Sequence, residues 1–308
     1  VPAAFGGVRE EAAPAWLSDL EEDESGVFLI NTPEDLEKLD GFLTNRSYRH
    51  TFGRYRLTRS FPLGAMEPLG TEAPEDLGLE EPPQIAKGYF CGSLDGDGNT
   101  LTGMNIQNSV ETATGLFSMI GAGGSIENLT LEEANVQGTE DVGAFAGSLA
   151  KGAMLRNVSA SGTLEGTTDV GGLLGLCMGT VQGAVSQMSV TGTRNVGGLA
   201  GRLEASGRIQ ESYGAAGLEV RGEESAGGLA GSCAGTMEQS YSLGTVIGKQ
   251  EAGGLAGRLS GSLRSSYAAG MVRGAIALGG IAGTVLAGGE ITDCYSTMDL
   301  EGEEGVGG

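Results

Sequence analysis

Apolar residues recur along this chain in two strand-like stretches within every 26 to 30 residues. The first stretch contains two apolar columns, each made of the residues at one equivalent position in successive repeats. The position just before the second column is mostly polar. The members of the two columns are Phe145, Leu173, Leu199, Leu229, Leu255 and Ile281, and, four positions further on, Leu149, Cys177, Leu203, Cys233, Leu259 and Val285. Alternate residues of a strand share one face, so both columns are expected to point inward. The pattern predicts a half-buried strand in every repeat.

The second stretch begins with an apolar residue, such as Leu155 or Val181, and ends nine residues later with another, Leu164 or Val190. A glycine follows the last apolar position in nearly every repeat, as at Gly166. Apolar ends followed by a turn glycine predict another strand, or a pair of short ones.

The sequence Gly-Gly-Leu-Ala-Gly marks the repeat most clearly, at residues 197–201, 227–231 and 253–257. A period of this length indicates stacked units. Helical repeats are excluded because interior glycines would each cost about 1 kcal/mol, and propeller blades need about 40 to 45 residues. We therefore predict an all-β fold, a right-handed parallel β-helix (a solenoid) with about 26 to 30 residues per coil and six or seven coils.

The N-terminal residues differ from the repeats. Residues 1–25 are rich in acids and predict a flexible acidic linker. Residues 26–88 are expected to form an N-terminal cap, with a strand at 27–30, an amphipathic helix from Thr32 to Asn45 and an irregular loop. The helix would cover sheet edges at the first coil. Residues 89–308 are assigned to the repeats, and we expect both chain ends to be boundaries within a larger secreted protein.

The repeat resembles a known family. Val-Gly-Gly-Leu-Ala-Gly at 196–201, and Ile-Thr-Asp-Cys-Tyr at 291–295, are similar to the GLUG repeat of bacterial secreted and surface proteins. The segment 90–106 resembles the one that introduces such arrays. The resemblance implies an extracellular, adhesin-like module or a region beside the catalytic domain of an immunoglobulin A-cleaving metallopeptidase. The single histidine, His50, excludes the H-E-x-x-H zinc motif of those peptidases here.

The composition of the chain limits the kinds of molecule that it is expected to bind. The chain has 308 residues, 57 of them glycine, and a formal charge of −22. Such a polyanion repels nucleic acid and anionic membranes, so we expect neither nucleic-acid binding nor membrane insertion. The four cysteines form no C-x-x-C pair, and Cys177 and Cys233 fall two coils apart, so all four are expected to be buried free thiols.

Two groups of acids are candidate cation sites. Asp95, Asp97 and Asn99 imitate the opening of an EF-hand loop, but Ile106 stands where the bidentate Glu should be. A tight turn explains them as well. Asp141 and Asp169 belong to one column with Asn195, and stacked carboxylates would need solvent, amide partners or a cation. We expect no cofactor, with Ca²⁺ as the alternative at these acids.

A predicted ladder of tyrosines is the candidate binding surface: Tyr213, Tyr241, Tyr267 and Tyr295 share one register. Rings facing outward would form a stripe for sugars or proteins, and packing is the alternative role. Arg202 and Arg258 are expected to pair with carboxylates, and His50 is expected at the surface.

These observations favour a non-enzymatic extracellular or cell-surface module, a bacterial adhesin or stalk that binds host or matrix glycans or glycoproteins. Two alternatives stay open: a polysaccharide-cleaving β-helix enzyme using Asp141, Asp169 and an arginine, and an accessory region of a larger secreted peptidase. The open last coil would also permit an end-to-end dimer.

Overall fold

The predicted solenoid is confirmed. The computed structural model describes residues 19–45, 47–70, 89–108 and 113–307. It contains 58% strand and 6% helix, arranged in about nine turns of about 28 residues. Successive turns place equivalent residues side by side in parallel strands, as Gly171 beside Gly197 and Gly197 beside Gly227.

The strands of the described residues form three parallel sheets along the solenoid. The first sheet has ten short strands: β1 (Phe28–Ile30), β2 (Arg54–Leu57), β4 (Ser93–Asp95), β7 (Ser125–Glu127), β11 (Met154–Arg156), β15 (Thr180–Gln182), β19 (Arg208–Gln210), β24 (Thr236–Glu238), β28 (Ser262–Arg264) and β31 (Glu290–Thr292). The second has seven: β6 (Phe117–Ile120), β10 (Ala146–Leu149), β14 (Leu174–Cys177), β18 (Ala200–Leu203), β23 (Ala230–Cys233), β27 (Ala256–Leu259) and β30 (Ala282–Val285).

The third and largest sheet receives one to three strands from each repeat. Its strands are β3 (Phe61–Ala65), β5 (Thr100–Gln107), β8 (Thr130–Gln137), β9 (Glu140–Gly143), β12 (Ser159–Glu165), β13 (Thr168–Gly171), β16 (Val185–Thr191), β17 (Arg194–Gly197), β20 (Tyr213–Gly214), β21 (Glu219–Gly222), β22 (Glu224–Gly227), β25 (Tyr241–Ser242), β26 (Thr245–Gly253), β29 (Tyr267–Gly279), β32 (Tyr295–Glu301) and β33 (Glu304–Gly307).

The core is a stack of aliphatic side chains inside each coil. Both predicted inward columns are confirmed from Phe145 to Leu259, where their members are at most 1% exposed. Each fully buried side chain of this kind contributes about 1.5–3 kcal/mol of transfer free energy. In the last described coil, Val285 is 49% exposed, since no other described residues pack over it. Stability therefore comes from contacts between neighbouring coils.

The repeated glycines form a corner where the backbone passes close to itself. A Cβ added at Gly227 would lie 2.0 Å from the carbonyl oxygen of Ala230. One added at Gly231 would lie 2.3 Å from the carbonyl carbon of Asn195 in the preceding coil. The turn from the third sheet into the second therefore has no room for side chains at these positions. This close approach explains why the motif is rich in glycine.

The predicted N-terminal helix is confirmed as α1 (Pro33–Thr44), and it is followed by the single-turn α2 (Tyr48–Thr51). Thr32 and Asp35 form a capping box at the start of α1, and Leu36, Leu39 and Leu43 are buried. Helix α1 contacts β1 and β3, the first strands of two sheets. It therefore lies over the start of the solenoid core. Within the described ranges, no helix combines the length and apolar character needed to cross a membrane.

Three expectations were wrong. The structure has about nine turns instead of six or seven, because β1, β2 and β3 begin the sheets before the first glycine motif. His50 is only 3% exposed: its ring stacks on Phe42 at 3.7 Å and contacts the hydroxyl of Tyr55 at 3.1 Å. Cys294 lies in the last described coil and is partly exposed, whereas Cys91, Cys177 and Cys233 are buried.

Residues 19–25, assigned from composition to a flexible linker, are held against this N-terminal region. Arg49 pairs with Asp19 and Glu22 at 2.5 Å each, and Arg56 pairs with Asp23 at 3.0 Å. Asp19 also lies 3.2 Å from Nε2 of His50. Residues 1–18 of the linker and residues 71–88 of the irregular loop lie outside the described residues.

Candidate functional site: a tyrosine ladder

The four tyrosines of the predicted ladder lie side by side on the outside of the third sheet. Backbone pairing joins Tyr213 to Tyr241, Tyr241 to Tyr267 and Tyr267 to Tyr295. Ring centroids are 4.7, 4.8 and 5.1 Å apart, and the planes deviate from parallel by 5 to 7°. Tyr295 is 60% exposed and the other three are partly exposed. The ladder is therefore a continuous aromatic surface in contact with solvent.

A buried serine precedes each of the first three tyrosines and fixes its position. The hydroxyl of Ser240 donates to the carbonyl of Glu238 at 2.8 Å and accepts the backbone N–H of Ser212 at 3.2 Å. Ser212 and Ser266 make the corresponding bonds. Each serine thus connects its own turn to the preceding coil. This explains the Ser-Tyr pair in the repeat and keeps the rings in register.

Partial burial, together with the neighbours Tyr213 and Tyr267, raises the pKa of Tyr241 above its ordinary value. The Tyr241 hydroxyl consequently stays protonated at neutral pH. It can both donate and accept a hydrogen bond on the exposed side of the ladder.

The candidate acids Asp141 and Asp169 are brought together, but protein groups already bind them. Asp169 is 5% exposed and accepts the amide of Asn195 at 2.7 Å. Nε of Arg202 lies 2.9 Å from its other oxygen, although the N–H is not aligned for a hydrogen bond, so the contact is an ion pair. Asp141 accepts the hydroxyl of Ser148 at 3.1 Å. Burial, followed by the charge of Asp169, raises the pKa of Asp141 to about 6.

The backbone explains why Asp and Asn occur in this column. Asp141, Asp169 and Asn195 have φ of 47°, 53° and 52°, in the left-handed region that short polar residues tolerate best. Further along the same column, Ser225 donates to Glu251 at 2.7 Å, and Arg258 lies 3.3 Å from Glu251. The expected pairing of Arg202 and Arg258 with carboxylates is therefore present.

Replacing Asp141 with Asn is expected to stabilise the fold in a pH-dependent manner. Because the folded-state pKa lies above the ordinary 3.8, the folded state binds the proton more tightly, and wild-type stability falls as pH rises from about 4 to 6. Asp141→Asn removes this loss, which amounts to about 2 to 3 kcal/mol at 1.4 kcal/mol per pKa unit. Urea unfolding at pH 7.5 should show the gain, and at pH 4 the gain should largely disappear.

Asp97→Asn is the matched control, since Asp97 has a similar φ of 51° but an exposed side chain. Its effect on unfolding should be small, because the exposed side chain makes little contact with the rest of the fold. An Asp141→Asn variant whose stability change does not depend on pH would contradict the assignment.

The EF-hand-like residues form a turn between β4 and β5. Asp95 accepts the backbone N–H of Asp97 at 2.9 Å and the amide of Asn128 at 3.0 Å, and Asn99 donates to the carbonyls of Gly96 and Leu57. The side chains of Asp95 and Asn99 thus bond to the protein itself. Across the described part of the chain, His, Cys, Asp and Glu side chains form no group of three that could hold a metal.

Other arginines form ion pairs that cross between coils on the surface, and pairing with neighbouring carboxylates was expected for Arg208 and Arg273. Arg194 pairs with Glu224 at 3.2 Å, Arg208 with Glu238 at 2.9 Å and Arg273 with Glu301 at 2.7 Å, each about one repeat apart. Exposed pairs contribute little stability, about 0 to 1 kcal/mol each. They neutralise much of the positive charge, however, and the acid excess therefore dominates the surface.

The buried cysteine thiols are expected to be unreactive at neutral pH. Burial raises the pKa of Cys177 and Cys233 to about 12 and that of Cys91 to about 11. All four cysteines are free. A thiol, unlike a thiolate, is a poor nucleophile, so neither Cys177 nor Cys233 provides reactive chemistry at neutral pH.

The fold is a repetitive β-solenoid, and one of its coils carries a GLUG motif. A family model described as the GLUG motif matches residues 274–301, which comprise the last part of β29 together with β30, β31 and β32. The chain therefore carries this motif in its last complete coil.

Among curated proteins, the chain is 34% identical over 157 residues to halomucin of Haloquadratum walsbyi, covering 47% of this chain and 2% of halomucin. It is 31% identical over 126 residues to an immunoglobulin A1 protease of Streptococcus sanguinis, covering 38% of this chain and 6% of the protease. The chain thus spans a small part of these relatives. A crystal structure of a candidate immunoglobulin A1 protease from Bacteroides ovatus has the same fold, with a TM-score of 0.58, 14% identity, and coverage of 93% of this chain and 85% of that one.

Proposed function

We propose that this protein is a non-enzymatic extracellular module, adhesin-like or stalk-like, that binds host or matrix glycans or glycoproteins through its tyrosine ladder. The observation that carries the proposal is the ladder itself: four aromatic rings in one ordered stack, each at least partly exposed. An extracellular location is supported by similarity to proteins named as a mucin and as proteases of immunoglobulin A1.

The ladder suits a repetitive ligand. Because the tyrosines recur once per coil, their hydroxyls form a row with a spacing close to that of the rings, 4.7 to 5.1 Å. The buried serines and the rigid sheet hold the row before any ligand arrives, and this reduces the ordering cost of binding. Tyrosine combines a large apolar surface with a polar group, a combination that is enriched in binding sites. Affinity would then accumulate over several weak contacts.

Removing two central rings is expected to weaken ligand binding by the ladder. The double variant Tyr241→Ser, Tyr267→Ser interrupts the stack and removes two hydroxyl contacts, and we expect affinity for the ligand to fall at least about tenfold, which corresponds to about 1.4 kcal/mol. Biolayer interferometry on the immobilised ligand measures the change. The control is Tyr48→Ser, since Tyr48 is 70% exposed and lies in α2, outside the ladder. Equal affinity of the wild type and the double variant would exclude the ladder as the binding surface.

The ligand can be found with an array of soluble polysaccharides, mucins and matrix proteins, probed with the purified protein in calcium and in chelator. Retention on a defined glycan or glycoprotein in both conditions supports the proposal. If no spot retains the protein, the result contradicts the proposal. The solenoid would then be explained as a passive spacer.

The polysaccharide-cleaving alternative depends on Asp141, whose raised pKa would suit a general acid. Against it, Asp169 is buried and paired with Arg202, so the partner carboxylate is not free to act. Calcium-dependent loss of polysaccharide from the array would favour this alternative. The other alternative, an accessory region of a larger secreted peptidase, is supported by the partial matches to immunoglobulin A1 proteases and is compatible with glycan binding.

A further inference from the structure

Within the described residues, the tyrosine ladder offers two ring faces to a ligand. In a stack of four parallel rings, each face between neighbours is covered, so Tyr241 and Tyr267 expose only their edges and hydroxyls. The free faces belong to the two ends, Tyr213 and Tyr295. Since a ring face carries negative charge density and attracts the polarised C–H groups of a sugar, stacking of a sugar ring is possible only at these ends.

The free face of Tyr213 borders a groove. The preceding residues of the same column are short: Thr100, Thr130, Ser159 and Val185. Val185 pairs with Tyr213, but its side chain is too short to cover the tyrosine ring. The side chains of this column therefore extend less far from the sheet before Tyr213 than after it. A cavity of about 300 Å³ occupies the space and is lined by Thr130, Glu132, Ser159, Val185, Gln187 and Tyr213. We call it the end groove. Its volume is at the lower limit of small-molecule sites.

The end groove combines one aromatic wall with polar groups already in position. The hydroxyls of Thr130 and Ser159 are hydrogen-bonded to each other at 2.9 Å along its floor. Gln187 is exposed at its side and can both donate and accept. A bulge also lies beside it: between Ala160 and Gly162 the register with β8 shifts, because β8 contains one additional residue there. Bulges bend a strand and often occur next to binding sites.

We propose that the end groove binds the terminal unit of a neutral hexose-containing glycan, stacked on the free face of Tyr213. This inference rests on the proposed glycan-binding function of the ladder and specifies where a sugar ring stacks. The sugar would exchange hydrogen bonds with Thr130, Ser159 and Gln187, and the remainder of the glycan would continue along the tyrosine edges. Glu132 and the formal charge of −22 disfavour a carboxylated sugar. The opposite end, at Tyr295, is 60% exposed.

The decisive variant is Val185→Tyr, which adds one more ring to the ladder and fills the end groove. It should fold, because tyrosine occupies this column in the next four coils. Thr100→Tyr is the matched control, since it adds a ring to the same column but outside the groove. Circular dichroism and thermal unfolding confirm that both variants fold.

The probes are methyl β-D-glucopyranoside, methyl β-D-galactopyranoside, methyl α-D-mannopyranoside and sodium glucuronate, followed by saturation-transfer difference NMR. We expect signals from the ring C–H protons of at least one neutral probe. These signals should fall at least fivefold in Val185→Tyr, stay unchanged in Thr100→Tyr, and be absent for glucuronate. Gln187→Ala provides a second variant and should weaken the same signals without filling the groove.

Several results would overturn this inference: no signal from any neutral probe, an equal signal in Val185→Tyr, or a stronger signal from glucuronate. If Val185→Tyr keeps its signals while the wild type is still retained on the glycan array, the end groove is refuted and the ladder is not. If no glycan is retained on the array, the proposed function itself is wrong.

Discussion

Gly227→Ala should strongly destabilise the central coils of the solenoid. The added Cβ would lie 2.0 Å from the carbonyl oxygen of Ala230 and 2.7 Å from the backbone nitrogen of Gly257. Both contacts are to backbone atoms of ordered strands, so no side chain can rotate away. Overpacking usually costs about 1 to 3 kcal/mol, and a clash with two backbones should reach or exceed the upper value. Guanidinium unfolding followed by circular dichroism measures the loss.

Gly307→Ala is the matched control. Gly307 occupies the same register in the last coil, beside Gly279, and an added Cβ there meets no atom within 4 Å. We expect its unfolding midpoint to match that of the wild type. If both variants lose the same stability, or if neither loses any, close backbone contact is not the reason that glycine occupies this corner.

Leu39→Asp should detach the N-terminal helix. Leu39 is fully buried between α1 and the first strands, and burial of an unpaired carboxylate costs several kcal/mol. Release of α1 would expose the core and the edges of β1 and β3, and exposed edges favour self-association. Light scattering coupled to gel filtration should therefore show oligomers.

Glu37→Ala serves as the control for this helix, because Glu37 is exposed on α1 two residues away. It should remain in the same oligomeric state as the wild type. A Leu39→Asp variant in that state and with unchanged unfolding would show that α1 does not protect the first coil.

Repetition made most of this fold predictable. Each inward position recurs in every coil, so Leu203, Leu229 and Leu255 could be assigned by alignment of the repeats within one sequence. The tyrosine register followed in the same way. The N-terminal turns lack the glycine motif, and the sequence alone therefore gave too few coils. His50 was misplaced because its aromatic partners, Phe28 and Phe42, come from separate elements with no shared period.

The end groove was not predicted, although the sequence contains part of the signal. Extending the tyrosine column backwards reaches Val185, Ser159 and Thr130, where the side chains become short. The bulge in β8 hides this alignment because it adds a residue to one strand. The left-handed positions were also only partly predictable: Asp141 and Asn195 suit that backbone, but Glu251 occupies it too, at φ 49°, because neighbouring coils impose the turn.

Hydroxyl-radical footprinting of the protein with its array ligand tests the central claim most directly, since it reports the solvent exposure of individual side chains. The account predicts that Tyr213, Tyr241, Tyr267 and Tyr295 become protected together when the ligand binds, while Tyr48 stays as reactive as in the free protein. Binding that leaves the four ladder tyrosines fully reactive would contradict it.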